Sequence, residues 1–156
     1  MALRFPGKAY RTSNNVTLIV TFDKTKYLTN LKESDLFDLL KKIIPDLQKT
    51  DQFNSIDAFS IKRQKFYELK CRRTDYVDLL IEKIKFDSLK IKGKVYYINS
   101  TPRGIYSFNI AKIKEPIWLV RLMPKTTEFE LNTKVEKVVG YLNIYLDGKD
   151  ITDLLI

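Results

Sequence analysis

The sequence predicts an α+β fold in which helices cover one face of a sheet. Short β-branched and aromatic runs alternate along the chain with two stretches of helical periodicity. The clearest strand places Tyr67, Leu69 and Cys71 on one face, and the opposite face carries Phe66, Glu68, Lys70 and Arg72. This period of two is typical of a sheet with one buried and one solvated face.

The composition indicates one ordinary domain or two very small ones. The chain has 156 residues, of which 44% are hydrophobic and 12% aromatic, enough for a core. Lys and Arg number 28 against 19 Asp and Glu, a formal charge of +9. Polyanions such as nucleic acids are therefore the expected class of partner.

The residue types present exclude most hydrolytic chemistry. Histidine is absent and cysteine occurs once, so no His/Cys zinc site, Cys–His pair or Ser–His–Asp triad can form. A carboxylate site for magnesium stays open as an alternative, but the acids are spread along helix faces, without a DxD motif or a phosphate-binding glycine loop. We predict a chain that is not an enzyme, with no catalytic residue, no metal and no cofactor.

The single cysteine and the terminus bear on location. Cys71 lies on the predicted core face, which suits a structural thiol in a reducing compartment. The N-terminal MALRFPGKAY is too polar for a signal peptide, and no segment approaches the ~20 apolar residues of a membrane span. We expect an intracellular protein, cytoplasmic or nuclear, that is not in a membrane.

The first half of the chain starts with an extended basic arm over residues 1–15. Val16–Phe22 is β-branched and apolar, as in a central strand. Ser34 is a good N-cap for a helix whose apolar residues recur at three- and four-residue spacing as far as Leu47, with an end or kink near Pro45. The stretch 56–73 then predicts two strands joined by a tight basic turn.

A second helix is predicted after this hairpin. Thr74 is its N-cap, and an apolar stripe runs from Tyr76 to Ile84. Residues 89–94 predict a short strand or turn, and Val95–Ile98 a further strand. The order over residues 16–99 is thus βαββαβ, the ferredoxin-like arrangement, in a domain that we place at 16–101.

Several stretches carry a resemblance to a known family. The segments SDLFDLLKKIIP, IDAF, KFYELKCR and KIKGKVYYI are similar to an RNA-recognition motif of the divergent type found in gag-like proteins of animal retroelements and their zinc-knuckle relatives. In a standard motif, exposed aromatic rings on two strands stack on bases. The resemblance puts Phe66 at one of these positions, whereas Glu68 and Thr17 stand at the others.

The C-terminal part predicts a partial second unit of this type over residues 105–156. Tyr106–Ile110 alternate as a strand, and Ile117–Pro124 resemble the first strand of a second motif, with Trp118 at the exposed ring position. Thr127 and Glu130 have capping-box spacing before a helical stripe that runs from Leu131 to Leu142. Gly140 would stop this helix, and Leu142–Leu146 would then be a second strand, which completes a partial βαβ unit. Such a fragment should not fold alone, and Trp118 should be at least partly buried where it packs.

These observations predict a nucleic-acid interface that combines cations for phosphates with rings for bases. Its residues are Phe59, Lys62, Arg63, Lys65, Phe66, Lys70, Arg72, Arg73 and Trp118. The alternatives are a simply solvated sheet face and a tryptophan that belongs to the core. The predicted function is non-catalytic binding of single-stranded RNA or DNA with low sequence specificity, in a gag-like protein of retroelement origin. The alternative is an interaction module that assembles with itself or with a partner protein.

Overall fold

The computed structural model describes residues 8–11, 17–51, 56–125 and 133–156, and within these the fold is α+β. The helices are α1 (Lys24–Thr29), α2 (Glu33–Ile43), α3 (Lys83–Lys92) and α4 (Thr152–Leu155). None of these described helices has the length and hydrophobicity needed to cross a membrane. The strands are β1 (Lys8–Arg11), β2 (Thr17–Val20), β3 (Leu47–Lys49), β4 (Ala58–Ser60), β5 (Lys65–Cys71), β6 (Asp78–Glu82), β7 (Val95–Thr101), β8 (Gly104–Asn109), β9 (Leu119–Pro124), β10 (Lys134–Asn143) and β11 (Lys149–Asp150).

A six-stranded sheet forms the centre of the described fold, in the order β11-β8-β7-β5-β4-β3. Its middle pair, β5 and β7, is parallel and runs in register from Phe66 opposite Val95 to Cys71 opposite Ser100. All other neighbours in the sheet are antiparallel. Parallel neighbours need a crossover connection, and here β6 and α3 supply it.

Both faces of this sheet are covered by apolar side chains. The first core joins one face to α1, α2 and α4, through Leu28, Leu36, Leu40 and Leu155 against Tyr67, Leu69 and Ile98. The second core joins the other face to α3 and to a three-stranded sheet, through Leu79, Phe86, Leu89 and Leu142 against Val95, Tyr97 and Phe108. The strand alternation of β5 therefore separates two buried layers.

The three-stranded sheet ties the C-terminal part of the chain to the crossover. Its order is β6-β10-β9, and β10 pairs with β6 from Asn143 opposite Asp78 to Val139 opposite Glu82. Trp118, just before β9, is half-buried and packs edge-on against Phe86 of α3 at 5.4 Å between ring centroids. The expected partial burial of Trp118 against the first half of the chain is confirmed.

Helix α2 is where the sequence predicts a helix. Leu36, Leu39 and Leu40 form its buried stripe, and the Asp35 carboxylate accepts a hydrogen bond from the N–H of Lys32 at 3.0 Å. This contact satisfies one of the backbone donors that a helix start leaves free. The helix ends at Ile43, before Pro45.

The second predicted helix is wrong in position. Within the stripe from Tyr76 to Ile84, the structure has the strand β6, in which Leu79 and Ile81 are buried, and helix α3 starts only at Lys83. A short apolar run fits both periods, and pairing with β10 selects the strand. Of residues 89–94, predicted as a short strand or turn, Leu89–Lys92 belong to α3, and a turn follows at Gly93 and Lys94, both of which have positive φ.

The predicted C-terminal helix is also wrong over its described part. Strand β10 occupies Lys134–Asn143, and its β-branched Val135, Val138 and Val139 suit a strand better than a helix. The capping-box residues Thr127 and Glu130 lie outside the described residues. The strands predicted at Val95–Ile98, Tyr106–Ile110 and Ile117–Pro124 are confirmed as β7, β8 and β9.

The specific ferredoxin-like arrangement is not confirmed. The strand predicted at Val16–Phe22 is present as β2, but β2 pairs with β1 in a separate two-stranded sheet. The described sheet also has helices or a second sheet on both faces, whereas the prediction left one face open. Periodicity identifies strands, but strand order depends on contacts that are distant in sequence.

A chain cut after Thr101 tests how far the C-terminal part depends on the rest. In the isolated 102–156 piece, β10 would lack β6 and Trp118 would lack Phe86. We expect red-shifted tryptophan fluorescence and no cooperative melting, with the full chain as control, because a short open sheet is marginal in water. A blue-shifted, cooperatively melting signal from the monomeric piece would contradict this packing.

Candidate functional site

The basic turn between β4 and β5 presents cations to solvent. Residues 61–64 are exposed, among them Lys62 and Arg63. The Asp46 carboxylate accepts hydrogen bonds from the N–H of Lys62 at 2.9 Å and from the Ser60 hydroxyl at 2.8 Å, and Arg63 donates to the carbonyl of Ile43 at 2.9 Å. These hydrogen bonds hold the turn in one conformation. The Lys62 side chain is exposed to solvent, whereas the Arg63 guanidinium is bonded to the backbone.

The aromatic residues of the predicted interface are half-buried. Phe59 and Phe66 stand opposite each other on β4 and β5, and Phe66 packs against the second core. The predicted register is confirmed for Leu69, which is buried in the first core, and Cys71 packs there half-buried. The expectation that Phe66 lies on an open sheet face is wrong, because α3 and the second sheet cover that face.

Some of the remaining predicted binding residues make contacts inside the protein, and others are exposed to solvent. The Lys65 ammonium lies 4.8 Å from the ring centroid of Tyr96, and that of Lys83 lies over the ring of Trp118. Arg72 donates to Asn99 Oδ1 at 2.8 Å and to the carbonyl of Leu80 at 2.7 Å, so its guanidinium holds strands together. Arg73 is exposed and Lys70 is half-buried.

Two carboxylates that the sequence analysis did not assign to the interface, Asp57 and Glu68, meet at one end of β4 and β5. Ala58 of β4 stands opposite Tyr67 of β5, so the next position, Asp57, lies beside Glu68. Asp57 Oδ2 accepts a hydrogen bond from the N–H of Leu69 at 2.7 Å. The antiparallel register thus brings two carboxylates from neighbouring strands together.

Glu68 is an unusual residue for the interior of a sheet, since it is only 6% exposed. Its Oε1 forms a close ion pair with the ammonium of Lys85 on α3, and its Oε2 has no hydrogen-bond partner. A buried carboxylate oxygen without a partner is energetically costly. Ionisable residues that are desolvated and face a specific charged partner are concentrated at functional sites.

The surroundings change the protonation of Glu68. The pKa of Glu68 is raised to about 7: burial is the main cause, the charges of Asp57 and Glu33 add to the rise, and the hydrogen bond and charge of Lys85 oppose it. Whether such a carboxyl is ionised depends on whether a cation lies beside it, because an opposite charge favours the ionised form.

Glu33, the first residue of α2, is one of the charges that raise the pKa of Glu68, although the side chain of Glu33 is itself exposed. Desolvation and then the charge of Asp57 raise the pKa of Glu33, while Lys70 and Lys85 lower it. Solvent weakens these effects, because the side chain of Glu33 is exposed. We call Glu33, Asp57, Glu68, Lys70 and Lys85 the carboxylate–lysine cluster.

A cavity of about 260 Å³ lies between the start of α2 and the residues around β3 and β4, and Glu33 and Asp57 are the members of the cluster that line it. Glu33, Asp57 and Leu69 line it together with Phe37 and Lys49. Among the described residues, no three acidic or other metal-ligating side chains are close enough to hold an ion by themselves. Magnesium, however, is commonly bound by one or two carboxylates together with water and substrate phosphates.

The sequence contains a signal for this cluster. Period two places Glu68 and Lys70 on one face of β5, and an acid, Asp57, precedes the other strand of the hairpin. The contributions of Glu33 and Lys85 have no local signal, because they come from helices 35 residues before and 17 residues after Glu68. Comparisons with family models, with curated proteins and with solved structures found no match for this chain.

The burial of Glu68 should reduce stability in a way that depends on pH. Because the pKa of Glu68 is raised from 4.5 to about 7, the folded chain holds a proton that the unfolded chain has lost, and stability falls as the pH rises through that window. Glu68→Gln should therefore be more stable than the parent above pH ~7, by the order of 1–3 kcal/mol, and the gain should shrink toward pH ~4.5.

Thermal melting over this pH range measures the difference. Glu136→Gln makes the same chemical change at an exposed position and should show no such trend. Equal stability of Glu68→Gln and the parent at every pH would mean that the Glu68 carboxylate is not buried at a cost.

Proposed function

We propose that this protein binds nucleic acid and hydrolyses its phosphodiester bonds with the help of a divalent cation. The observation that carries the proposal is the buried Glu68 carboxylate, which lies beside Asp57, pairs with Lys85 through one oxygen and has no partner for the other. The cost of that arrangement has a reason if a cation and a phosphate complete it. The proposal does not depend on the RNA-recognition-like arrangement predicted from the sequence.

The charge of the chain favours a nucleic acid as substrate. The formal charge is +9, and exposed cations such as Lys62 and Arg73 lie on the same hairpin as Glu68. Lysine and arginine bind phosphates without regard to base sequence. The half-burial of Phe59 and Phe66 leaves little room for base stacking, so affinity would come chiefly from the backbone of the nucleic acid.

The reaction that fits the cluster is hydrolysis. The oxygen of a water molecule bonds to phosphorus, and the bond between phosphorus and one bridging oxygen breaks. The attacking water loses a proton and the departing oxygen gains one, so the products are a phosphate monoester and a hydroxyl. Asp57 and Glu68 would supply the carboxylates for a divalent cation, and Lys70, on the same face of β5 as Glu68, would stabilise negative charge on the attacking oxygen.

The non-catalytic binding predicted from the sequence stays a prediction, and activity measurements decide between it and hydrolysis. The assembly module is favoured by one separate observation. Val120 and Leu122 of the edge strand β9 are 65% and 64% exposed, and Val138, opposite Val120 on β10, is 41% exposed. Exposed aliphatic side chains on an edge strand favour association. A chain that is only such a module would neither bind nor cleave nucleic acid.

Removal of one carboxylate tests hydrolysis. We expect end-labelled single-stranded and duplex DNA and RNA to be cleaved with Mg²⁺ or Mn²⁺ and not with EDTA. Asp57→Asn should lower the rate at least about 100-fold, because the amide keeps an acceptor for Leu69 but carries no charge.

Asp153→Asn makes the same change at an exposed carboxylate whose side chain is 90% accessible, and it should cleave like the parent. Cleavage by Asp57→Asn at the parental rate would refute the assignment. Absence of cleavage by the parent with any of these substrates, together with retained binding, would instead favour the non-catalytic binder.

Binding can be separated from cleavage by adding EDTA. We expect affinity for a labelled oligonucleotide to fall at least about 10-fold between about 50 and 200 mM salt, because each bound phosphate releases counterions. Lys62→Gln should weaken binding equally for all sequences and reduce the salt dependence by about one ion. Binding that is indifferent to salt would exclude an electrostatic interface.

A further inference from the structure

The start of β5 and the residues after α3 bring lysines from two separate segments together. β5 and β7 pair in parallel with Phe66 opposite Val95, and the N–H of Phe66 donates a hydrogen bond to the carbonyl of Lys94 at 3.0 Å. Lys65 and Lys94, each one residue before these paired positions, are therefore neighbours across the two strands. No local pattern in the sequence signals this meeting, because it depends on the parallel pairing.

Two aromatic rings hold lysine side chains at the same place. The Lys92 ammonium lies 5.7 Å from the ring centroid of Phe66, and the Lys65 ammonium lies 4.8 Å from that of Tyr96. A cation is attracted to the face of an aromatic ring, so both rings orient the ammonium groups. Ring faces that are covered in this way are not open for stacking on a base.

No carboxylate neutralises these cations. Among the described residues, Lys65, Lys92 and Lys94 form no ion pair. Like charges that meet across neighbouring strands lower stability, so the arrangement has a reason if an anion binds there. The exposed Lys62 of the β4–β5 turn adds a further charge. We call these four residues the cationic edge: Lys62, Lys65, Lys92 and Lys94.

The backbone is strained on both segments of the cationic edge. Gln64 has a φ of 51° and Lys94 a φ of 48°, and these are the only positive φ values among the described residues other than glycine. A residue with a Cβ adopts this conformation at a cost that glycine avoids. Backbone strain is concentrated at functional sites, so a lysine at this φ favours a role for its charge beyond folding.

We propose that the cationic edge binds the phosphates of a nucleic-acid backbone, with Lys92 and Lys94 as contacts in addition to the basic turn. This inference rests on the nucleic-acid binding in the proposed function, but it requires neither a divalent cation nor cleavage. A row of oriented cations suits a linear polyanion, because each neutralised phosphate releases counterions. Since the rings beneath Lys65 and Lys92 support cations, the contact carries no base preference.

Removal of two charges measures the contribution of the edge. Lys92→Gln with Lys94→Gln should weaken binding of a labelled dT oligonucleotide at least about 10-fold at about 50 mM salt. The slope of log affinity against log salt should fall by about 1.4, since each phosphate of a single strand contributes ~0.7. Fluorescence anisotropy of the full chain in EDTA measures both values. Lys134→Gln with Lys149→Gln removes the same charge at exposed positions on β10 and β11 and should bind within about 3-fold of the parent.

An oligonucleotide without bases separates backbone contacts from base reading. An abasic oligonucleotide of the same length should bind the parent within about 3-fold of the affinity for dT, because the cationic edge contacts phosphates. Loss of about 10-fold or more would mean that aromatic rings stack on bases, and it would overturn the inference.

Lys94→Gly separates binding from folding. Because glycine adopts a positive φ freely, this variant should melt at no lower temperature than the parent, yet it should bind the dT oligonucleotide about 3-fold or more weakly. A lower melting temperature with unchanged binding would show that Lys94 serves the fold alone. Should the double glutamine variant fail to fold, this variant and the abasic oligonucleotide decide the inference.

Equal affinities of the two double variants would overturn the inference and leave the proposed function standing, because only net charge would then matter. Tighter binding of the parent to phosphatidylcholine vesicles with about 30% phosphatidylserine than to the oligonucleotide would also overturn it, since the edge would then be a membrane contact. A parent chain that binds no nucleic acid at about 50 mM salt would refute the proposed function itself.

Discussion

The parallel pairing of β5 with β7 is the constraint on which the rest of the fold depends. Two parallel neighbours cannot be joined by a tight turn, so β6 and α3 must cross over one face of the sheet. That crossover covers the face with Phe86 and Leu89 and offers β6 as a partner for β10. The C-terminal hairpin and Trp118 can then pack where they do, and a strand that looks amphipathic becomes buried on both sides.

The same crossover explains why a carboxylate is buried. Glu68 lies on the crossover face of β5, and α3 both covers it and provides the neutralising Lys85. The ion pair satisfies one carboxylate oxygen and leaves the other without a partner. Folding alone would favour an apolar or neutral residue there, because a buried charge costs free energy unless it is fully paired. The free energy lost by burying Glu68 near other carboxylates is the kind of cost that proteins accept at a functional site. It therefore connects the stability of the fold with the proposed hydrolysis.

The cations of the chain interact with negative charges both at long range through solvent and in direct contact. Exposed cations such as Lys62 and Arg73 attract a polyanion through solvent, where salt screens them. Lys85 acts at contact distance, because it pairs with Glu68 in a desolvated place where screening is weak. Arg72 belongs to neither group, because its donors bind Asn99 and Leu80 inside the fold. Basic residues of one short stretch thus have three different physical roles.

The sequence by itself determined α2, the strands β5, β7, β8 and β9, the net charge, and the sharing of one face by Glu68 and Lys70, because these depend on local periodicity and composition. Only the tertiary structure decided that residues 78–82 and 134–143 are strands, since their apolar spacing fits a helix equally well and their pairing selects the strand. It also decided that Phe66 is covered and that Asp57, Glu33 and Lys85 surround Glu68. Those residues lie on four different elements or loops, and a meeting of this kind is a property of strand order and crossover, which no local pattern encodes.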